Sequence, residues 1–223
     1  RLAAYPPGKG DITNMIRSYI HRCQKDGVKI VMNCEVTPEL IKEEKPDSVI
    51  IATGSKTLIL PIEGIDNPAI IHGSDLLDGK RAAGKKVLVV GGGMVGCETA
   101  AFLGEQEHDV TVIEFRDTVG ADVIHEHRVY LMKDFEDYGI KEITGAKVCK
   151  FYEDGVEYET ADGVRHETRG YDSVILSMGF RNYNPLEEKI KDLVPETHVI
   201  GDAIRARRAL DATKEAYAVA SKL

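Results

Sequence analysis

The stretch Lys86-Val87-Leu88-Val89-Val90-Gly91-Gly92-Gly93-Met94-Val95-Gly96-Cys97-Glu98 decides the fold of this chain. Its consecutive apolar residues predict a strand buried on both faces, and glycines with the spacing Gly-x-Gly-x-x-Gly follow before a helical pattern begins. In such a turn Gly91 permits the tight bend, Gly93 leaves room for a pyrophosphate, and Gly96 lets the helix lie close to the strand. The helix N-terminus adds free N–H groups and a positive dipole end, so the stretch predicts a dinucleotide-binding turn.

The residues after the helix supply the context that glycine spacing alone lacks. A second predicted strand ends at Glu114, which lies 18 positions after Gly96. A carboxylate about 20 residues after the glycines is where the 2′-hydroxyl of an NAD ribose is held. The alternative is that Glu114 is a solvated charge at a strand end and the glycines are only a tight turn. The predicted NAD(H)-binding residues of this unit are Gly91, Gly92, Gly93, Met94, Val95, Gly96, Glu114, Phe115 and Arg116.

Composition narrows the class of protein. The chain has 223 residues, enough for one large domain or two small ones, and 43% of them are hydrophobic, as in soluble globular proteins. A net charge of −8 without a basic stripe argues against nucleic acid as a partner. No apolar run reaches the length of a membrane span and the first residues lack a signal-peptide layout, so a cytoplasmic protein with no membrane partner is predicted. The chain does not begin with Met, which suggests a piece of a longer protein.

Metal-ligand patterns are absent from the sequence. His125 and His127 are two positions apart, so a helix would point them in different directions. The cysteines are widely separated and form no C-x-x-C pair, so buried free thiols are predicted at Cys23, Cys34, Cys97 and Cys149.

The sequence around the central unit predicts a second, related one. A helix from Asp11 to Gly27, a strand at Val28–Met32 and a strand at Asp47–Gly54 suggest a parallel sheet. The segment Asp172–Gly179 repeats the pattern of Asp47–Gly54, which suggests two nucleotide domains. We therefore predict a nucleotide domain at residues 80–180 and a second lobe from residues 1–60 and 181–223.

Inside the first domain the hydrophobic period changes between residues 140 and 171. Short alternating runs are separated by Asp154-Gly155 and Asp162-Gly163, which are hairpin turn signals. The sequence therefore predicts an antiparallel excursion within an α/β domain.

Three further stretches suit close approach of the backbone to a cofactor, because glycine exposes the backbone. They are Ala52-Thr53-Gly54, Met178-Gly179 and Gly201-Asp202, where the aspartate can accept hydrogen bonds from ligand hydroxyls. Simple turns, with Asp202 as an N-cap, are the alternative. Glu98 lies two residues after Gly96, in the first turn of the predicted helix, where the helix dipole favours a carboxylate. Arg205, Arg207 and Arg208 suit a flavin phosphate, a partner domain or solvent equally well.

These pieces together resemble the flavoproteins with two dinucleotide-binding domains. More closely, the segment Leu2-Ala3-Ala4-Tyr5-Pro6-Pro7-Gly8-Lys9 and the tail Gly201-Asp202-Ala203 with its arginines resemble the C-terminal reductase half of the 2-enoate reductase, 2,4-dienoyl-CoA reductase and trimethylamine dehydrogenase group. The resemblance covers essentially the whole chain. It implies that Glu98 is a cofactor-binding residue near the nucleotide and the domain junction, and the helix dipole is an equally good account of this carboxylate. It implies a Rossmann-like α/β fold in which a complete NAD-binding domain is inserted in a truncated FAD-binding domain.

The resemblance also implies cofactors and a partner domain. In this group an N-terminal barrel like that of old yellow enzyme holds FMN and an iron–sulfur cluster, while the C-terminal half holds FAD and the pyridine nucleotide. No barrel is present here, and the first strand and glycine turn of the FAD domain are expected before Arg1. Glu107 stands where the group tends to have glycine at a helix end, at a cost on the order of 1 kcal/mol.

The function predicted from the residues and the resemblance is that of an NADH-dependent flavin oxidoreductase fragment. NADH gives hydride to a flavin, and an enoate- or enone-type acceptor is reduced in the absent barrel, so no residue of this chain is named as catalytic. NADH is preferred to NADPH because Glu114 repels a 2′-phosphate, with Arg116 as the reservation. The alternative is a non-catalytic module that holds ADP or another nucleotide permanently, as the resemblance to trimethylamine dehydrogenase permits.

Overall fold

The computed structural model describes residues 4–6 and 8–223, and the chain divides into two compact units. Unit 1 comprises Arg1–Gly27 and Ile59–Gly179, and unit 2 comprises Val28–Leu58 and Phe180–Leu223.

Helices and strands alternate between residues 71 and 143. The helices are α1 (Asp11–Lys25), α2 (Pro38–Glu44), α3 (Gly73–Leu77), α4 (Met94–Glu105), α5 (His125–Asp137), α6 (Glu187–Ile190) and α7 (Ala209–Ala220), with a 3-10 turn at Gly201–Ala203. The strands are β1 (Ser48–Ile51), β2 (Ser55–Thr57), β3 (Ile71–His72), β4 (Lys86–Val90), β5 (Asp109–Ile113), β6 (Lys141–Ile143), β7 (Lys147–Tyr152), β8 (Gly155–Glu159), β9 (Arg165–Thr168), β10 (Ser173–Leu176), β11 (Phe180–Asn182) and β12 (Glu196–Val199).

Unit 1 is built on a parallel sheet with the strand order β3-β10-β4-β5-β6. As the apolar run predicts, β4 is buried on both faces. Val87 and Val89 face a core with residues of α4 and α5, whereas Leu88 and Val90 face a core with residues of β7 and β8. The sheet is thus covered by helices on one side and by antiparallel strands on the other. Its central strand delivers the glycine turn at its carboxyl end, where ligands bind in open α/β sheets.

The antiparallel excursion predicted from the turn signals is confirmed. Strands β7, β8 and β9 form a separate three-stranded antiparallel sheet. Asp154-Gly155 lies at the β7–β8 turn, and Asp162-Gly163 lies in the loop between β8 and β9.

Helix α4 ends in the left-handed conformation that the sequence indicates. Glu107 has φ = +63°, and its N–H donates to the carbonyl of Gly104 at 2.9 Å. The N–H of His108 reaches back to the carbonyl of Leu103 at 3.1 Å, which closes the helix end. A non-glycine residue therefore occupies a position at which glycine carries no steric cost.

Unit 2 contains two short strand pairs. Strand β1 pairs in parallel with β12, and β2 pairs with β11 in antiparallel fashion. Its core joins residues of α2 and β1 to residues 186–194.

Two sequence-based expectations for the first 60 residues are wrong. Residues 28–32 form no strand, and Val28, Val31 and Met32 are exposed. The strand is absent because β propensity yields a strand only where a partner strand is available. The helix ending at Lys25 does form, but residues up to Gly27 are grouped with unit 1 instead of with residues 181–223.

The reason for this grouping lies in the contacts of α1 and of the segment before it. Its side chains are not buried, and Met15, Tyr19 and Ile20 are exposed, so the apolar stripe joins no core among the described residues. An ion pair between Lys9 and Glu98 connects the segment before α1 to α4. The assignment of unit 1 to NAD and of unit 2 to FAD remains a prediction.

Candidate functional site

The glycine turn after β4 has the geometry that its spacing predicts. Gly91 has φ = +103°, and a Cβ there would lie 2.5 Å from the carbonyl oxygen of Ser177, just after β10. A Cβ on Gly96 would lie 1.8 Å from the carbonyl oxygen of Gly91. Both positions therefore require glycine, because no side chain fits between the turn, α4 and the end of β10.

The outer side of the turn is accessible. Gly91, Gly93, Met94 and Val95 are partly exposed, whereas Gly92 and Gly96 are buried. The nearest atoms to a Cβ placed on Gly93 belong to the carboxylate of Asp122, at 3.3 Å and 3.5 Å. The Asp122 carboxylate therefore lies against Gly93, and partly exposed surface remains at Gly91, Met94 and Val95.

Asp122 is a site residue that the sequence reasoning missed. Its Oδ1 accepts a hydrogen bond from the N–H of Met94 at 2.9 Å, so it caps the N-terminus of α4. No local pattern marks it, since the two residues are 28 positions apart.

Glu114 lies beside the turn, and its carboxylate is already engaged with the backbone. Its Oε2 accepts from the N–H of Gly92 at 2.6 Å and its Oε1 from the N–H of Arg116 at 3.0 Å. Only 9% of Glu114 is exposed, and a carboxylate has about four acceptor positions. Glu114 thus holds β5 to the glycine turn and keeps acceptor capacity for a further donor. Phe115 is 68% exposed, and Arg116 is exposed.

Glu98 is buried in α4, with 5% of its surface exposed. It forms an ion pair with Lys9, and Nε2 of His127 lies 3.9 Å from Oε1 of Glu98. The buried charge is therefore compensated within unit 1. The ion pair gives Glu98 a structural role in holding the segment before α1 against α4.

The four cysteines differ in their solvent exposure more than predicted. Cys97 is buried and donates a hydrogen bond from its thiol to the carbonyl of Gly92 at 3.2 Å. Burial, as the largest cause, raises the pKa of Cys97 to about 12, so the thiol stays protonated. Cys34 is exposed and Cys23 and Cys149 are partly exposed, so the prediction of four buried thiols is wrong for these three.

The other predicted site residues are distributed between the two units. Met178 and Gly179 belong to unit 1, where Met178 lies against the core that contains Leu88, and Gly179 has φ = +95°. Ala52, Thr53 and Gly54 belong to unit 2 and follow β1; Thr53 Oγ1 donates to the carbonyl of Tyr183.

Gly201 and Asp202 are part of a polar network in unit 2. The two carboxylate oxygens of Asp202 accept from the N–H of Arg207 at 3.0 Å and from Oγ of Ser55 at 3.3 Å. The N–H of Gly201 donates to Oε2 of Glu215 at 2.7 Å. Arg207 pairs with Glu215, and this hydrogen bond, followed by that from Gly201, lowers the pKa of the Glu215 carboxyl. Of the predicted arginine cluster, Arg207 thus has an internal partner.

The described residues contain neither a candidate metal site nor a helix that could span a membrane. Across 4–6 and 8–223, no three His, Cys, Asp or Glu side chains are grouped so that they could hold a metal ion. In the same part of the chain, every helix is too short or too polar to cross a membrane.

The profile of the pyridine nucleotide-disulphide oxidoreductase family matches residues 9–200. The chain belongs to this family. Its membership confirms the α/β Rossmann-like fold expected from the glycine turn, and it assigns the chain to the oxidoreductases that use a pyridine nucleotide.

Curated relatives support the narrower resemblance. The chain is 30% identical over 225 residues to a bilirubin reductase of Mediterraneibacter gnavus, covering 100% of this chain and 34% of the relative. It is 29% identical over 221 residues to a cinnamate reductase of Clostridium sporogenes, covering 98% and 33%. It is 31% identical over 225 residues to an NADH oxidase of Thermoanaerobacter brockii, covering 98% and 34%. The chain thus spans about a third of the length of these relatives.

Solved structures agree. A 2-naphthoyl-CoA reductase complex aligns with a TM-score of 0.90 at 31% identity, covering 100% of this chain and 34% of that chain. A histamine dehydrogenase of Rhizobium sp. 4-9 aligns with a TM-score of 0.82 at 17% identity, covering 100% and 38%, which shows a shared fold. The resemblance to the enoate reductase and trimethylamine dehydrogenase group is confirmed by these relatives.

Proposed function

We propose that this chain is the pyridine-nucleotide-binding reductase portion of an NADH:flavin oxidoreductase. NADH binds at Gly91–Gly96 and Glu114–Arg116, and its hydride passes to a flavin and on to an enoate- or enone-type acceptor held by another domain of the parent protein. The observation that carries the proposal is the glycine turn at the carboxyl end of β4, where Gly91 and Gly96 leave no room for a side chain and the helix N-terminus that follows is partly exposed.

The residues of unit 1 fit a dinucleotide. The partly exposed first turn of α4, which begins after Gly93, suits a pyrophosphate, since a helix N-terminus carries free N–H groups and a positive dipole end. The remaining acceptor positions of Glu114 suit a ribose hydroxyl, and the exposed ring of Phe115 suits the face of an adenine.

In unit 2, the fit to a flavin rests on Asp202. Gly201 is buried and its N–H already donates to Glu215. Asp202 presents a half-buried carboxylate whose hydrogen bonds to Arg207 and Ser55 leave acceptor positions for flavin hydroxyls. A bound nicotinamide supplies the hydride and a flavin accepts it, while the protein binds and orients them. FMN and an iron–sulfur cluster belong, under this proposal, to the domain that holds the acceptor.

The names of the relatives support the acceptor class. One is a cinnamate reductase and another a bilirubin reductase, and the aligned structure is a 2-naphthoyl-CoA reductase. Two of the three act on a conjugated carboxylic acid or its thioester, which favours an enoate- or enone-type acceptor over an amine. An NADH oxidase among the relatives supports NADH as the donor.

The experiment that tests the proposal is a titration of the purified protein with NADH and ADP, followed by fluorescence and calorimetry. Gly93→Ala places a methyl group beside the N-terminus of α4, 3.3 Å from the carboxylate of Asp122 and at φ = −73°, and is expected to weaken both ligands at least about tenfold. Gly10→Ala is the matched control, because nothing lies within 4 Å of a Cβ there. Tight binding of ADP with no affinity for NADH would indicate the non-catalytic nucleotide module instead.

A further inference from the structure

The carboxylate of Asp122 occupies the place where the proposed site receives phosphate. Its Oδ1 lies 2.9 Å from the backbone nitrogen of Met94, which begins α4. Its two carboxylate oxygens are also the nearest atoms to a Cβ placed on Gly93, at 3.3 Å and 3.5 Å. A pyrophosphate at the same helix N-terminus would seek the same N–H groups and the same space.

The segment that carries Asp122 is fixed on both sides. Val119 and Val123 are buried, and the N–H of Gly120 donates to the carbonyl of Gly92 at 2.7 Å. Nη2 of Arg128 donates to the carbonyl of Val119 at 3.1 Å. The side chain of Asp122 itself is exposed. Rotation about the side-chain bonds of Asp122 would move its carboxylate away from the N–H of Met94 and toward solvent.

We propose that Asp122 is an internal competitor that restricts access of anionic nucleotides to the glycine turn. In the free protein its carboxylate caps α4 as an anion would, and a nucleotide binds only when Asp122 rotates away. The inference rests on the proposed nucleotide site. Asp122 acts at the phosphates of the ligand, so it lowers the affinity for NADH and ADP but not the affinity for an uncharged nucleoside.

The mechanism is electrostatic and makes a quantitative expectation. A pyrophosphate carries more than one negative charge, so it repels the Asp122 carboxylate when both lie near the same helix N-terminus. Removal of the Asp122 charge is therefore expected to tighten ADP binding about tenfold. The gain should shrink between about 0.01 M and about 1 M salt, where the Debye length falls from about 30 Å to about 3 Å.

The test compares Asp122→Asn with the wild-type protein by calorimetric titration with ADP and with adenosine. The amide oxygen of asparagine can still accept the hydrogen bond from Met94, so α4 keeps its cap and only the charge is lost. Glu126→Gln is the matched control, since it removes an exposed charge in the first turn of α5. Thermal unfolding followed by circular dichroism checks that all three proteins are folded.

The expected result is tighter ADP binding by Asp122→Asn alone, unchanged adenosine binding, and a difference that fades with salt. Equal ADP affinities in the wild type and Asp122→Asn would overturn the inference and leave the nucleotide site standing. A similar gain for adenosine, or a gain that does not depend on salt, would also overturn it, because a change in shape would then be the cause. No binding of ADP or NADH by any of the proteins would overturn the proposed function, and the inference with it.

Discussion

Replacing Glu114 with glutamine is expected to destabilise unit 1 before any ligand is considered. The carboxylate accepts hydrogen bonds from two backbone groups, the N–H of Gly92 at 2.6 Å and the N–H of Arg116 at 3.0 Å. Gly92 is buried, so water cannot replace a lost partner there. Glutamine keeps one acceptor oxygen and turns an NH₂ group toward the second N–H.

The magnitude follows from the loss of one hydrogen bond to a charged group. Such a bond contributes about 1.5–3 kcal/mol, and leaving a buried donor unpaired has a cost of similar size. For a domain of this size the loss corresponds to a fall in Tm of about 3–12 °C.

The assay is urea unfolding of Glu114→Gln, followed by circular dichroism, with the slope against urea compared with that of the wild type. Glu136→Gln is the control, since Glu136 is an exposed glutamate in α5. The control is expected to stay within about 0.5 kcal/mol of the wild type, as is usual for surface substitutions. A free energy of unfolding for Glu114→Gln that also lies within this margin would show that the carboxylate does not hold β5 to the glycine turn, and the account of the site would be wrong there.

Three further predictions follow from single residues. NADH should bind at least about fivefold more tightly than NADPH, because a 2′-phosphate near Glu114 meets a like charge. Arg116→Ala should widen this difference in affinity by removing an exposed cation. Equal affinities for the two nucleotides would refute the prediction. Glu107→Gly should raise the free energy of unfolding by about 1 kcal/mol in urea titrations, because φ is +63° there, and a loss of stability would refute the steric argument. In native protein at pH 9, iodoacetamide should modify the exposed Cys34 but not Cys97, because burial raises the pKa of the Cys97 thiol to about 12. Peptide mass spectrometry identifies the modified residues. Rapid modification of Cys97 would contradict its burial.

The central unit could be predicted from the sequence because its signals are local. The apolar run Lys86–Val90, the glycines and the helical period after Met94 each specify a conformation within a few residues. The same holds for the hairpin turn at Asp154-Gly155, whereas the left-handed helix end at Glu107 was expected only from the family resemblance. These elements and the α/β class could therefore be predicted correctly.

The features that could not be predicted depend on distant contacts. Asp122 caps α4 across 28 positions, and no spacing rule connects a loop aspartate to a helix so far before it. The apolar run Val28–Met32 has strand propensity, yet a strand needs a partner that the sequence does not supply locally. The contact of Glu114 with a ribose stays a prediction, and its hydrogen bonds to the backbone are visible only in three dimensions.

The central claim is that NADH binds at the glycine turn of unit 1. It is tested most directly by following backbone amide resonances of ¹⁵N-labelled protein by NMR while NADH is added. The account predicts that the largest shifts occur in residues 91–96 and 114–116, with a shift at Met94 as Asp122 leaves it. Shifts confined to Gly201, Asp202 and their neighbours, or saturation without any change at residues 91–96, would contradict it.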